Sequence, residues 1–228
     1  MADKPRVKAP KQRVTQRQAD PGRTRQMMLI GGGVLAAAAV VFGLVVLGIG
    51  GGDPSVADVR EKVVAAGGTL REVEALPGDH TLGADDTSED WNTDPPTNGP
   101  HFGFDNNQSL GTVIWGAYDE PLQPARLVHN LEHGGAFILY GDKVRPAVVA
   151  ELREFYDRHQ NGTILAPYPK LGDRIALGAW VFNAEDDENA YLARLTKFDE
   201  DAFSAFFQAF QFKGPERFPP DSLVPGQS

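Results

Sequence analysis

The chain of 228 residues contains no cysteine. That excludes a disulfide framework, a thiolate-held zinc or iron–sulfur centre and a cysteine nucleophile. Methionine is nearly as scarce, its three copies being Met1, Met27 and Met28. Beyond residue 28 any metal must therefore rest on imidazole, carboxylate, carbonyl or water, which argues against a soft Cu(I) site. No phosphate-binding loop, dinucleotide glycine fingerprint or G-x-S-x-G turn occurs, so the sequence signals of nucleotide enzymes and serine hydrolases are missing. Residues 27–52 lack any charged side chain.

This last absence places the chain. Met27 to Gly50 is an uncharged, mostly apolar run, and about 20 such residues cross the hydrocarbon core of a bilayer as a helix. The run exceeds the apolar core of a signal peptide and is followed by no Ala-x-Ala cleavage pattern. Residues 1–26 carry eight Lys or Arg against Asp3 and Asp20. They read as a disordered cytoplasmic tail whose charge sets orientation, and an interaction with anionic headgroups would use the same charge. The expectation is a single-pass protein of the cell membrane, with residues 27–50 spanning it and residues 53–228 extracytoplasmic. Subtracting the tail from the totals of 22 basic and 31 acidic residues leaves 14 and 29, a formal charge of −15. Such a surface repels nucleic acid, which is not expected as a partner.

The exported part is long enough for one domain with a real core. Ser55 can cap a helix running to about Ala66, stopped by Gly67-Gly68. A strand is expected over 69–76. Residues 77–110 are rich in Pro, Gly, Asp, Asn and Thr, a loop of the length that is usually functional or disordered. Further strands are expected at 112–118, 136–140, 163–166, 175–182 and 191–196. Pro124 opens a short helix that Gly134 ends, and amphipathic helices are expected over 145–160 and 199–211. In the last of these, Phe203, Phe206, Phe207 and Phe210 are spaced to pack on a sheet rather than to hold a cofactor. The class is α+β, and the order strand–helix–strand–strand–helix from residue 136 suggests a ferredoxin-like or related sandwich.

Two of only five histidines, His129 and His133, lie four residues apart in His129-Asn130-Leu131-Glu132-His133-Gly134-Gly135. On a helix they share a face and can bind one transition metal. On a strand they would stand about 13 Å apart and could not. The pattern H-x-x-E-H also matches inverted zincins, where the glutamate is the general base, making Glu132 a catalytic candidate. Such an enzyme needs a third ligand, and Glu185, Glu188 and Glu200 are not singled out by spacing. His101 is the stronger third ligand, because Pro95-Pro96-Thr97-Asn98-Gly99-Pro100 stiffens its presentation. His80 is weaker, and His159 complements a helix dipole. Three readings remain open: a Zn or Cu(II) site of His101, His129 and His133 with Glu132 beside it, a metal-dependent hydrolase, and a metal-free envelope interaction module with a histidine hydrogen-bond network.

The loop 95–101, Trp115-Gly116-Ala117-Tyr118, the segment Leu127 to Gly135, Tyr140 and Gly214-Pro215-Glu216 together resemble the bacterial family called domain of unknown function 3105. The resemblance covers roughly residues 55–218. It implies a membrane-anchored exported domain, singles out His101, His129, Glu132 and His133, and supplies no activity. Asn98 stands where that pattern carries serine, so a hydroxyl is not essential there.

Overall fold

The computed structural model describes residues 52–80, 91–103, 111–183 and 187–227. The expected tail 1–26 and membrane span 27–50 lie outside these residues. Among the described residues no helix is long and apolar enough to cross a membrane. Residues 52–228 form one compact unit, a mixed α+β domain.

Helix α1, Val56–Ala65, begins with a reciprocal capping box between Ser55 and Asp58, which satisfies two otherwise orphaned donors. Gly67 follows at φ +81°, the left-handed geometry that ends helices. Six strands follow in the chain: β1 (Thr69–Glu74), β2 (Gly116–Ala117), β3 (Ala136–Tyr140), β4 (Thr163–Pro167), β5 (Ile175–Phe182) and β6 (Glu188–Leu195). Helix α2 (Pro124–Glu132) precedes β3, α3 (Pro146–Arg158) joins β3 to β4, and α4 (Glu200–Phe210) follows β6.

The strands form one sheet in the order β1-β6-β5-β3-β4-β2. β4 runs parallel to both β3 and β2, and the remaining pairs are antiparallel. The ferredoxin-like expectation is corrected here. That arrangement splits its parallel β-α-β strands with another strand, whereas β3 and β4 are direct neighbours. The order of elements along the chain does not specify which strand fills that gap.

Both faces of the central sheet are covered, so β3 and β5 read as continuous apolar runs rather than alternating ones. Ile138, Leu177, Ala179 and Val181 face the core built with α1, α3 and α4, including Phe203, Phe206, Phe207 and Phe210. Phe137, Leu139, Ala176 and Trp180 face the other core, with Leu127, Val128 and Leu131 of α2. The expected strand over 112–118 shrinks to the two residues of β2. Both backbone groups of Val113 bind the Asn130 amide, at 2.9 Å each, and Trp115 pairs with Gly226 and Gln227.

On the α2 side, Phe137 pairs with Gly178 in register, and its ring occupies the space a Gly178 Cβ would fill. Gly178→Ala is expected to cost about 1–3 kcal/mol through overpacking. Adding Phe137→Leu should recover part of that loss. Chemical denaturation followed by circular dichroism measures both, and an additive double variant would show that the contact does not set the packing.

Candidate metal centre

Helix α2 carries the histidine motif because its ends are well specified. Pro124 occupies the first turn, and the Gln123 side chain accepts a hydrogen bond from the Arg126 N–H at 3.0 Å. At the other end His133 is the C-cap and Gly134 takes φ +92°. The segment after α4 then docks on this end. Phe212 N–H donates to the Gly134 carbonyl at 2.6 Å, and Glu216 N–H donates to the Glu132 carbonyl at 3.0 Å. A Cβ on Gly214 would collide with the Glu132 carbonyl oxygen, so glycine permits this close approach.

The proline-rich loop delivers His101. Trp91 Nε1–H donates to the Pro100 carbonyl at 2.8 Å. Thr97 N–H donates to Thr93 Oγ1 at 3.0 Å. Asn98 is fully buried; its amide oxygen accepts from Leu76 N–H at 2.7 Å and its Nδ2 donates to Asn92 at 2.9 Å. Asn98 thus ties the loop to the chain after β1 through an amide rather than a hydroxyl. Gly99 turns at φ +97° with Leu76 against it. His101 N–H donates to the Asp79 carbonyl at 3.0 Å, which brings the preceding loop, and His80, to the same place.

His80, His101, His129 and Glu132 each offer one ligand atom, all within 4.8 Å of one another. Glu132 Oε2 lies 3.1 Å from His80 Nε2, 3.0 Å from His101 Nε2 and 3.9 Å from His129 Nε2. A tetrahedral zinc ion about 2.0–2.1 Å from each donor requires donor–donor edges of about 3.3 Å. The observed separations bracket that edge. Three of the four residues are buried; the His80 side chain is 42% exposed.

Proton placement sharpens this geometry. His101 Nδ1 faces the Gly99 carbonyl at 2.8 Å, and His129 Nδ1 faces the Phe102 carbonyl at 2.6 Å. A carbonyl only accepts, so both Nδ1 atoms carry hydrogen and donate. Each ring in its neutral form then turns a basic Nε2 toward Glu132. This is the outer-shell pattern by which backbone carbonyls fix the tautomer of metal-binding histidines. A proton held between His101 and Glu132, or a cation among the four residues, would each compensate the buried carboxylate.

Burial pulls the His129 imidazole down to about 4, with the neighbouring His133 and His101 adding to the effect. Burial likewise pulls His133 down to about 4. For Glu132, burial pushes upward, but hydrogen bonds and charge from His101 and His80 outweigh it and leave the carboxyl below its ordinary value. Neutral imidazoles and an ionised carboxylate are the ligating forms.

The structure therefore brings together His101, His129 and Glu132 with His80, the residue read as weaker from the sequence. His133 goes elsewhere. Its ring lies 4.6 Å from that of His129 between centroids, but its Nε2 faces Glu216 Oε2 at 3.1 Å. Glu132, His133 and Glu216 form a second, adjoining group, and burial and the Glu132 charge hold the Glu216 carboxyl above its usual range. The helix ends at His133, so the i,i+4 pair is shared between the two groups. Glu188 accepts from Trp180 Nε1–H at 2.9 Å, Glu200 pairs with Arg158 at 2.7 Å, and Glu185 lies outside the described residues. His159 donates from Nδ1 to the Phe155 carbonyl at the end of α3.

Glycines shape the pocket around these rings. A Cβ on Gly103 would meet His80, one on Gly78 would meet Trp180 and Glu132, and one on Gly111 would strike both His129 Nδ1 and the Phe102 oxygen. Gly111→Ala is expected to break the His129–Phe102 hydrogen bond. In nitrogen-15 spectra of metal-free protein the shielded Nδ1–H signal of His129 should disappear while the overall fold persists. An unchanged signal would show that Phe102 does not orient the ring.

Comparison with curated proteins and with solved structures returns no match. A family model does match, over residues 84–222, more than half the chain. The matched stretch contains His101, His129, Glu132, His133 and Glu216, and it begins just after His80. The chain belongs to the family described as "Protein of unknown function (DUF3105)".

Proposed function

We propose that this domain binds a divalent transition metal, Zn or Cu(II), through His80, His101, His129 and Glu132. The observation that carries the reading is the pair of backbone carbonyls that claim Nδ1 of His101 and His129 and turn both Nε2 atoms toward one carboxylate oxygen. A donor set of three imidazoles and one carboxylate suits Zn and Cu(II) and needs no thiol. His133 belongs to the neighbouring group in this reading and is not a ligand of the same ion. The half-exposed His80 gives solvent a route to the site. The uncharged run 27–50 and the basic tail support placing the domain on the outer side of a cell membrane, as a single-pass protein.

A hydrolase using Glu132 as general base has less support. The Oε2 atom lies against two imidazoles, which makes the carboxylate a ligand rather than a base poised over a water. The metal-free network remains the competing outcome of the test.

Metal content of the full-length protein, purified in detergent, is the test. Mass spectrometry should find near-stoichiometric zinc or copper, and a His101→Ala/His129→Ala variant that stays folded should lose it. Replacing one ligand should weaken binding by more than the roughly 10–100-fold that an outer-shell partner is worth. At about 100 times its dissociation constant the ion should add roughly 2.7 kcal/mol of stability, reversed by chelator. Failure to take up either ion after repletion would leave only the hydrogen-bond network.

A further inference from the structure

A second feature on the α2 side of the sheet has no histidine in its lining. A cavity of about 480 Å³ is lined by Arg71, Lys170 and Arg194, with Trp91, Tyr168 and Asp94 among its walls. A smaller recess of about 170 Å³ shares Asp94, Tyr168, Lys170 and Arg194 and adds Arg174. Four cations thus gather around one carboxylate, in a domain whose formal charge is −15 over residues 53–228.

The sheet register brings two of them together. Thr69 of β1 pairs with Arg194 of β6, so Arg71, two residues along, lies diagonally across from Arg194 on the same face. Like charges at neighbouring cross-strand positions are destabilising. Among the described residues, none of Arg71, Lys170, Arg174 and Arg194 forms a salt bridge. Asp94 is already engaged, its carboxylate accepting from Tyr168 Oη–H and its backbone carbonyl accepting from the Arg194 guanidinium. Arg194 Nε is buried with no hydrogen-bond partner. A partly desolvated guanidinium interacts more strongly with an anion placed on its outer nitrogens than a fully hydrated one does.

Shape and lining complete the picture. The volume falls within the roughly 300–1,000 Å³ typical of small-molecule sites. Trp91 and Tyr168 both line the cavity, Trp91 half-buried and Tyr168 largely buried, so the aromatic surface beside the charges comes chiefly from Trp91. We infer that this cleft binds a small organic anion, one that joins a phosphate or carboxylate group to a planar ring. The charged end would lie among Arg71, Lys170 and Arg194, and the ring against Trp91 and Tyr168. Trp91 also holds the Pro100 carbonyl next to His101, so an occupant would rest on the same loop that presents His101. The proposal does not depend on metal at the histidine cluster.

Phenyl phosphate is the probe, added to the full-length protein in detergent with a chelator present so that the histidine cluster cannot contribute. Trp115 and Trp180 are each 1% exposed, so a change in tryptophan emission reports chiefly on Trp91. Saturable binding is expected, weaker for inorganic phosphate, absent for phenol, and reduced as salt is raised. An Arg71→Gln/Lys170→Gln variant, altered only at exposed positions, should bind roughly tenfold more weakly. Arg194→Gln should lower affinity at least as much, and circular dichroism checks that it folds. No saturation up to about 10 mM, a weak affinity by any measure, would overturn the proposal. So would equal binding by the double variant or by phenol.

Discussion

An imidazole has two nitrogens, and in this domain the backbone has claimed one from each of two rings. The carbonyls of Gly99 and Phe102 hold Nδ1 of His101 and His129, and the chemistry of the centre depends on that constraint. Only the Nε2 atoms remain to face Glu132. Much of the surrounding sequence serves to keep the two carbonyls in place. Gly99 makes the turn that returns its own oxygen to the His101 ring, Asn98 ties the loop to Leu76, and Gly111 leaves room for the Phe102 contact.

Burying an ionised carboxylate is costly unless it is paired, and Glu132 is 7% exposed. That pairing comes from the imidazoles of His101 and His80, which face its carboxylate, while the sheet supplies a rigid wall rather than polar groups. Trp180 projects from β5 toward the centre, its indole N–H satisfied by Glu188 and its ring 6.0 Å from that of His101 between centroids. The absence of a side chain at Gly178 leaves room for the Phe137 ring. On the opposite face α1, α3 and α4 complete a conventional apolar core, so the polar centre is confined to the side covered by α2.

Much of this was legible in the sequence where one force dominates. β3 and β5 were readable residue for residue because burial on both faces gives unbroken apolar runs. The boundaries of α1 and α2 followed from Ser55, Pro124 and Gly134. Elsewhere the partner of a segment decided its form. Thr112 to Tyr118 has strand composition, yet its backbone binds the Asn130 amide and the C-terminal residues, which no local pattern reveals. At the centre, His101, His129 and Glu132 stood out through their motifs. His80 did not, because its place depends on the Asp79 carbonyl meeting His101 N–H. The two orienting carbonyls carry no side-chain signature at all. The spacing of His129 and His133 left helix and strand both open; the helix forms but ends at the second histidine, and Gly214 lets Glu216 draw it to another group.

The uneven burial of the cluster bears on kinetics rather than affinity. Three of its residues are locked in the interior while His80 is 42% exposed. An ion held there would have one arm able to swing into water without disturbing the core. Exchange of such an ion would then begin on the single side where His80 meets water, and would not require unfolding of the domain.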